Sequence, residues 1–122
     1  MKAILIEKSG GPSVLNLTNI EIPIPSDNQV LIKVAYCSLN PLDTHARAGR
    51  VKWGVPELPF IPGYEYSGRV VEVGKKIDSN LINKRVSVVG QWGGNAEYAV
   101  ADIKHITEVP EYFDWHLASC FS

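Results

Sequence analysis

The sequence predicts a small, mainly β domain: an antiparallel barrel with short helical turns and a truncated C-terminal helix. Two observations carry this expectation. Six to seven apolar segments of strand length recur along the 122 residues. Clusters of Gly, Pro, Ser and Asn separate them, as the tight turns of a small barrel require.

Ala3 to Glu7 reads as the first strand, and Ser9-Gly10-Gly11-Pro12-Ser13 as the turn after it. Val14 to Ile22 alternates in part, which predicts a half-buried strand ended by Pro23 and Pro25. Val30 to Cys37 is the clearest strand. Val30, Ile32, Val34 and Tyr36 fall on one face, and Leu31, Lys33, Ala35 and Cys37 on the other. Asn40 to Gly49 reads as a helical turn started by Pro41 and stopped by Gly49. Arg50 to Leu58 is a loop carrying Trp53, Gly54 and Pro56.

Pro59 to Gly68, Pro-Phe-Ile-Pro-Gly-Tyr-Glu-Tyr-Ser-Gly, is the stretch around which the chain is organised. Prolines stiffen it, Gly63 frees it, and it feeds a strand from Tyr66 to Val73. Further strands are expected at Arg85 to Val89, Ala96 to Ala101 and His105 to Val109, with Gly90 to Asn95 as a loop. Asp114 caps a last helix in which Phe113, Leu117 and either Cys120 or Phe121 share a face.

Composition narrows the function. Hydrophobic residues make up 45% and charged ones 20%, with a net charge of −1 and no basic patch. That speaks against nucleic-acid binding and against a polybasic membrane anchor. No apolar run spans a bilayer and no signal peptide is evident, so a cytoplasmic protein is expected. Cys37 and Cys120 allow one disulfide but form no CxxC pattern.

Candidate chemistry is scattered. Cys37, His45, Glu65, His105, His116 and Cys120 carry donor atoms, but none has the paired spacing of a structural zinc site. Cys37 reads as a small core residue rather than a nucleophile. The Gly90 to Gly94 run is not GxGxxG and precedes a strand, so it is no phosphate cradle. Asn40, Asp43, Thr44 and His45 could hydrogen-bond a sugar or carbonyl. Equally, Asn40 could cap the helical turn with Asp43 at its positive end. A buried Glu65 would accept hydrogen bonds from backbone or Arg.

The order of motifs resembles a known family. Val30 to Cys37, Ser38 to Gly49, Pro59 to Gly68, the Gly68-Arg69-Val70-Val71-Glu72-Val73-Gly74 strand and Asn95 to Val100 follow one another over nearly the whole chain. This is similar to the N-terminal, GroES-like domain of the medium-chain dehydrogenase/reductase superfamily, in the zinc-independent NADPH:quinone oxidoreductase (zeta-crystallin-like) branch. Zinc alcohol dehydrogenases place a cysteine where Asn40 stands and Gly-His-Glu where Gly63-Tyr64-Glu65 stands. The four-cysteine lobe of those enzymes is missing here as well. The resemblance therefore implies NADPH chemistry with no metal.

It further implies Asn40 and His45 at the nicotinamide end of the cofactor, with His45 as candidate proton donor. Trp53 and Tyr64 would border the substrate cleft, and Asp43 and Glu65 would be structural. The substrate would be a quinone or another conjugated carbonyl. The family's Gly-Asp-Arg-Val is Asn83-Lys84-Arg85-Val86 here. Residues 1–109 would form the domain and 110–122 the start of a linker helix. There is no GxGxxG and no alternating strand–helix region, so the Rossmann domain would have to come from elsewhere. A stand-alone, non-enzymatic barrel that buries Trp115, Leu117 and Phe121 by self-association or by pairing with a separate Rossmann-domain chain is the other reading.

Overall fold

The computed structural model describes residues 1–119. Expected pairings of the terminal Cys120 and Phe121 therefore lie outside the described residues. The strands are β1 (Lys2–Ile6), β2 (Leu15–Asn19), β3 (Gln29–Cys37), β4 (Glu65–Val73), β5 (Arg85–Val89), β6 (Tyr98–Asp102) and β7 (Ile106–Glu108). Two helices, α1 (Pro41–Ala48) and α2 (Trp115–Ala118), stand beside short 3-10 turns.

Five strands form one antiparallel sheet in the order β6-β3-β4-β5-β7, and β1 pairs with β2 alone. β1 joins the two sheets. Ile4 N–H reaches Asn95 O at 2.9 Å, and Ile6 and Phe60 exchange backbone hydrogen bonds of 2.9 and 3.0 Å. The first strand thus ties both the Pro59 loop and the entry to β6.

Val30, Ile32, Tyr66, Val70, Val86, Val88, Ala99 and Ala101 make the main core. A second cluster, Ile6, Val14, Ala46 and Phe60, lies beneath α1 with Val55 and Trp92 against it. Two expectations need correction. The strand from Val14 is not half-buried, since Leu17 is 69% exposed. β2 pairs with β1 alone and so leaves most of its side chains in solvent. The alternation expected along β3 also fails. Val30, Leu31 and Ile32 are all buried while Tyr36 is exposed, because register shifts at Leu31/Ile32 and Val34/Tyr36 re-aim the strand.

Where the family carries glycine before the β5 strand, Asn83 adopts the left-handed conformation itself, with φ 74°. Asparagine tolerates that region better than most residues, so the turn survives the replacement.

The far face of β4 and β5 is covered by residues 110–119. Arg85, 5% exposed, donates to the carbonyls of Pro110, Glu111 and Phe113. Its guanidinium lies 3.9 Å from the centre of the Trp115 ring. Ser67 Oγ donates to Trp115 O at 3.2 Å, and Ser87 Oγ to Ala118 O at 2.7 Å. Trp115 is therefore packed on the barrel rather than offered as part of an apolar patch.

Candidate functional site

The site forms where β3 ends, α1 begins and the Pro59 loop enters β4. Ser38 N–H bonds Glu65 O at 3.0 Å, which closes the end of the β3–β4 pair. Asn40 then precedes α1 in extended conformation, and Pro41 opens the helix. Asp43 is buried on the inner face. Its Oδ2 accepts Asn40 N–H at 2.9 Å and its Oδ1 accepts Gly63 N–H at 3.1 Å. The Asp43 N–H itself bonds the Asn40 backbone carbonyl at 3.0 Å.

Asp43 and Asn40 thus form a capping box, the Asp43 carboxylate accepting the Asn40 N–H and the Asn40 side chain facing the Asp43 backbone N–H. The Asn40 amide also reaches inward through its nitrogen. Its Nδ2 donates to Glu65 Oε2 and to Ser38 Oγ, both at 3.3 Å. Glu65, 5% exposed, accepts from these two side chains rather than from backbone or Arg. Its other oxygen, Oε1, is buried with no hydrogen-bond partner.

Cys37 lies beside this carboxylate pair with a free thiol. Burial first, then the charges of Asp43 and Glu65, push its pKa up to about 12. A thiol held protonated in this way is no nucleophile. Among the described residues no group of three or more His, Cys, Asp or Glu converges to hold a metal ion.

Asn40 and His45 do come together. With Leu39, Pro41 and Thr44 they line one shallow groove on the outer side of α1. His45 is exposed, and its Nδ1 lies 3.3 Å from Arg50 Nη1. Trp53 and Tyr64 do not line this groove. Trp53 is 92% exposed in its loop, and the Tyr64 ring packs against Trp92 at 4.9 Å.

Trp92 is the residue that sequence reasoning passed over. It touches Tyr64 and Phe60, and its Nε1 donates to Gly54 O at 2.8 Å. One side chain thus fastens the Trp53 loop to the Pro59 stretch. The available signal was a large aromatic amid the glycines of Gly90-Gln91-Trp92-Gly93-Gly94.

Residues 26–111 match the alcohol dehydrogenase GroES-like domain family. The chain belongs to that family. Its branch is that of the zinc-independent quinone oxidoreductases of the medium-chain dehydrogenase/reductase superfamily. A quinone oxidoreductase of Sus scrofa is 44% identical over 117 residues, covering 94% of this chain and 35% of that protein. An NADPH-dependent alkenal/one oxidoreductase of Arabidopsis thaliana is 35% identical, covering 98% of this chain and 33% of that protein. A mycobacterial protein solved in complex with NADPH superposes with a TM-score of 0.88 at 30% identity, covering 98% of this chain and 37% of the other. The chain spans about a third of the length of the curated relatives it matches. Among the described residues no helix is long and apolar enough to cross a membrane.

Proposed function

We propose that this GroES-like domain is the substrate-side half of an NAD(P)H-dependent quinone or enone oxidoreductase. The observation that carries the reading is the shared groove of Asn40 and His45, with Asn40 held to Glu65 where related zinc enzymes have a metal ligand.

NADPH, when bound, would supply the hydride. Asn40 and His45 fit its nicotinamide end as polar groups at the mouth of the groove. Nothing among the described residues fits its phosphates: the Gly90 loop leads into β6, not into a helix. In this reading residues 110–122 begin a linker toward a Rossmann domain, and the whole works in the cytoplasm. The domain would bring four things to the reaction. Asn40 would bind and orient the carboxamide end. The Trp53 loop, fastened by Trp92, would border the substrate side. Asp43 would hold the groove to the barrel. His45, exposed at the groove, would pass a proton to the reduced carbonyl oxygen.

Reconstitution is the test. The chain is mixed with, or fused to, a Rossmann domain from a relative and supplied with NADPH and a para-quinone or an alkenal. NADPH oxidation that requires both parts is the expected result. Quenching of Trp53, Trp92 and Trp115 fluorescence reports binding. Intact, folded protein with neither binding nor oxidation overturns the reading.

A second reading is favoured by Leu117, expected at the associating face and 56% exposed, together with Trp53 and Tyr112 at 92% and 89%. Here the barrel is a non-enzymatic partner-binding module that associates with itself or another chain. A clean monomer in a size measurement counts against it.

A further inference from the structure

Helix α1 ends on a turn that sets two side chains against each other. Gly49 takes the left-handed conformation, with φ 78°. Its N–H bonds Ala46 O at 3.1 Å, and the Arg50 N–H reaches back to His45 O at 3.0 Å. These two bonds close the helix and lay residue 50 over residue 45, where apolar side chains commonly meet. Here the pair is polar. Arg50 Nη1 lies 3.3 Å from His45 Nδ1.

The chemistry of the two groups fixes the sense of that bond. A guanidinium has N–H donors and no acceptor, so Nδ1 is the acceptor. A neutral imidazole carries one ring N–H, and with a lone pair at Nδ1 that hydrogen is on Nε2. His116 shows the opposite case. Its Nδ1 lies 2.9 Å from Asp114 Oδ1, an ionised oxygen that only accepts, so the hydrogen there is on Nδ1. No carboxylate pairs with His45 among the described residues. Arg47, the other cation in the last turn of α1, gives its Nε–H to Gly10 O at 3.3 Å. Arg50 is therefore the group that sets the polarity of the His45 ring.

The consequence falls in the groove, which His45 lines with Leu39, Asn40, Pro41 and Thr44. The Thr44 hydroxyl can donate or accept as it turns. A ring held through Nδ1 can only donate, from Nε2. It cannot turn over about its last bond without breaking the Arg50 contact.

We propose that Arg50 is a positioning residue that holds the His45 ring so that the groove meets a ligand with an N–H donor at Nε2. The ligand groups this favours are acceptors, above all the carbonyl oxygen of a ketone, enone or quinone. No bond breaks in forming the contact, which orients the oxygen before any proton moves. This rests on His45 as a ligand contact, the reading given above.

The test is NMR on the isotope-labelled 122-residue chain, at a pH where imidazole is neutral. The ring-nitrogen signals should place the His45 hydrogen on Nε2 and the His116 hydrogen on Nδ1. Arg50→Met keeps a long side chain and the backbone N–H but has no side-chain donor, and Arg50 is exposed, so the variant should fold. In it the His45 Nδ1 signal should move toward that of an unbonded ring nitrogen. Two probes of one shape then read the groove: cyclohexanone, which accepts, and methylenecyclohexane, which does not. Cyclohexanone should shift the His45 signals and bind about threefold more weakly to Arg50→Met, part of one hydrogen bond. The hydrocarbon should bind both proteins alike. A His45 hydrogen on Nδ1, or an Nδ1 signal that Arg50→Met leaves in place, overturns the proposal. So does a cyclohexanone affinity that Arg50→Met leaves unchanged, or an equal weakening of both probes. The expected ring signals with no response of His45 to cyclohexanone overturn His45 as a ligand contact, and the selection with it.

Discussion

Asp43 joins the start of its own helix to a residue twenty positions further on: Oδ2 takes the Asn40 N–H and Oδ1 the Gly63 N–H. One buried carboxylate therefore sets both the start of α1 and the approach to β4. Asparagine at this position can accept with one atom only. Its NH₂ would face a backbone donor. Asp43→Asn should cost about 2–4 kcal/mol, one charge-assisted bond plus one unsatisfied buried donor. Chemical denaturation measures this; a loss below about 0.5 kcal/mol would contradict the bridge.

The Pro59 stretch depends on Gly63 in the same concrete way. Its φ is +103°, and a Cβ there would sit 2.6 Å from Asn95 N and 2.9 Å from Cys37 Sγ. Gly63→Ala should cost about 3 kcal/mol or more, strain plus overpacking. Gly54 supplies the control. It has φ +75°, but a Cβ added there would meet nothing within 4 Å. Gly54→Ala should cost about 1–2 kcal/mol from conformation alone. Equal thermal shifts for the two variants would show that crowding at Gly63 is irrelevant.

Much of this was legible in the residues. Proline before Leu42 and glycine after Ala48 mark α1 at both ends, and the helix runs between them. Arg85 to Val89 announces a strand by Val86 and Val88, and both are buried. What the pattern could not show was the other face of that strand. Arg85 and Ser87 are polar in sequence yet buried, because residues far along the chain fold back over them. The Asn40–Glu65 bond was hidden for a similar reason. A cap is a local signal, whereas a bond to a residue twenty-five positions away belongs to the β3–β4 register.

Cys37 gives the fold a pH dependence of known sign. The thiol ordinarily titrates at 9.0 and is pushed up to about 12 in the fold, mainly by burial and then by Asp43 and Glu65. Between those values the unfolded chain loses a proton that the folded chain keeps. Stability is therefore fully present below pH 9 and lost as pH rises toward 12. The slope is at most about 1.4 kcal/mol per pH unit. Burial raises the Tyr66 hydroxyl as well, followed by the effect of Cys37, so it adds to the fall above its ordinary 10.0. Urea midpoints across this range should decline less steeply in Cys37→Ala. Parallel declines would remove Cys37 from the account.

Trp92 links a loop to the barrel through a single indole N–H. Trp92→Phe keeps an aromatic ring against Tyr64 and Phe60 but loses the bond to Gly54 O. Global stability should fall by about 1 kcal/mol, one neutral hydrogen bond. The local effect should be larger: faster proteolysis between Arg50 and Leu58, and greater mobility in Trp53 fluorescence. An unchanged cleavage rate would show that the loop is held by something else.

Arg85, Ser67 and Ser87 address residues 110–118 through carbonyl oxygens, which every amino acid possesses. Recognition here is lopsided. The barrel side is written in particular side chains, and the covering segment in main-chain oxygens together with rings and charges of its own, among them the Trp115 ring, the His116 ring beside Tyr36 and the Glu111 partner of Arg69. The direction in which that segment crosses the barrel is thus set by its backbone, which a change of side chain leaves in place.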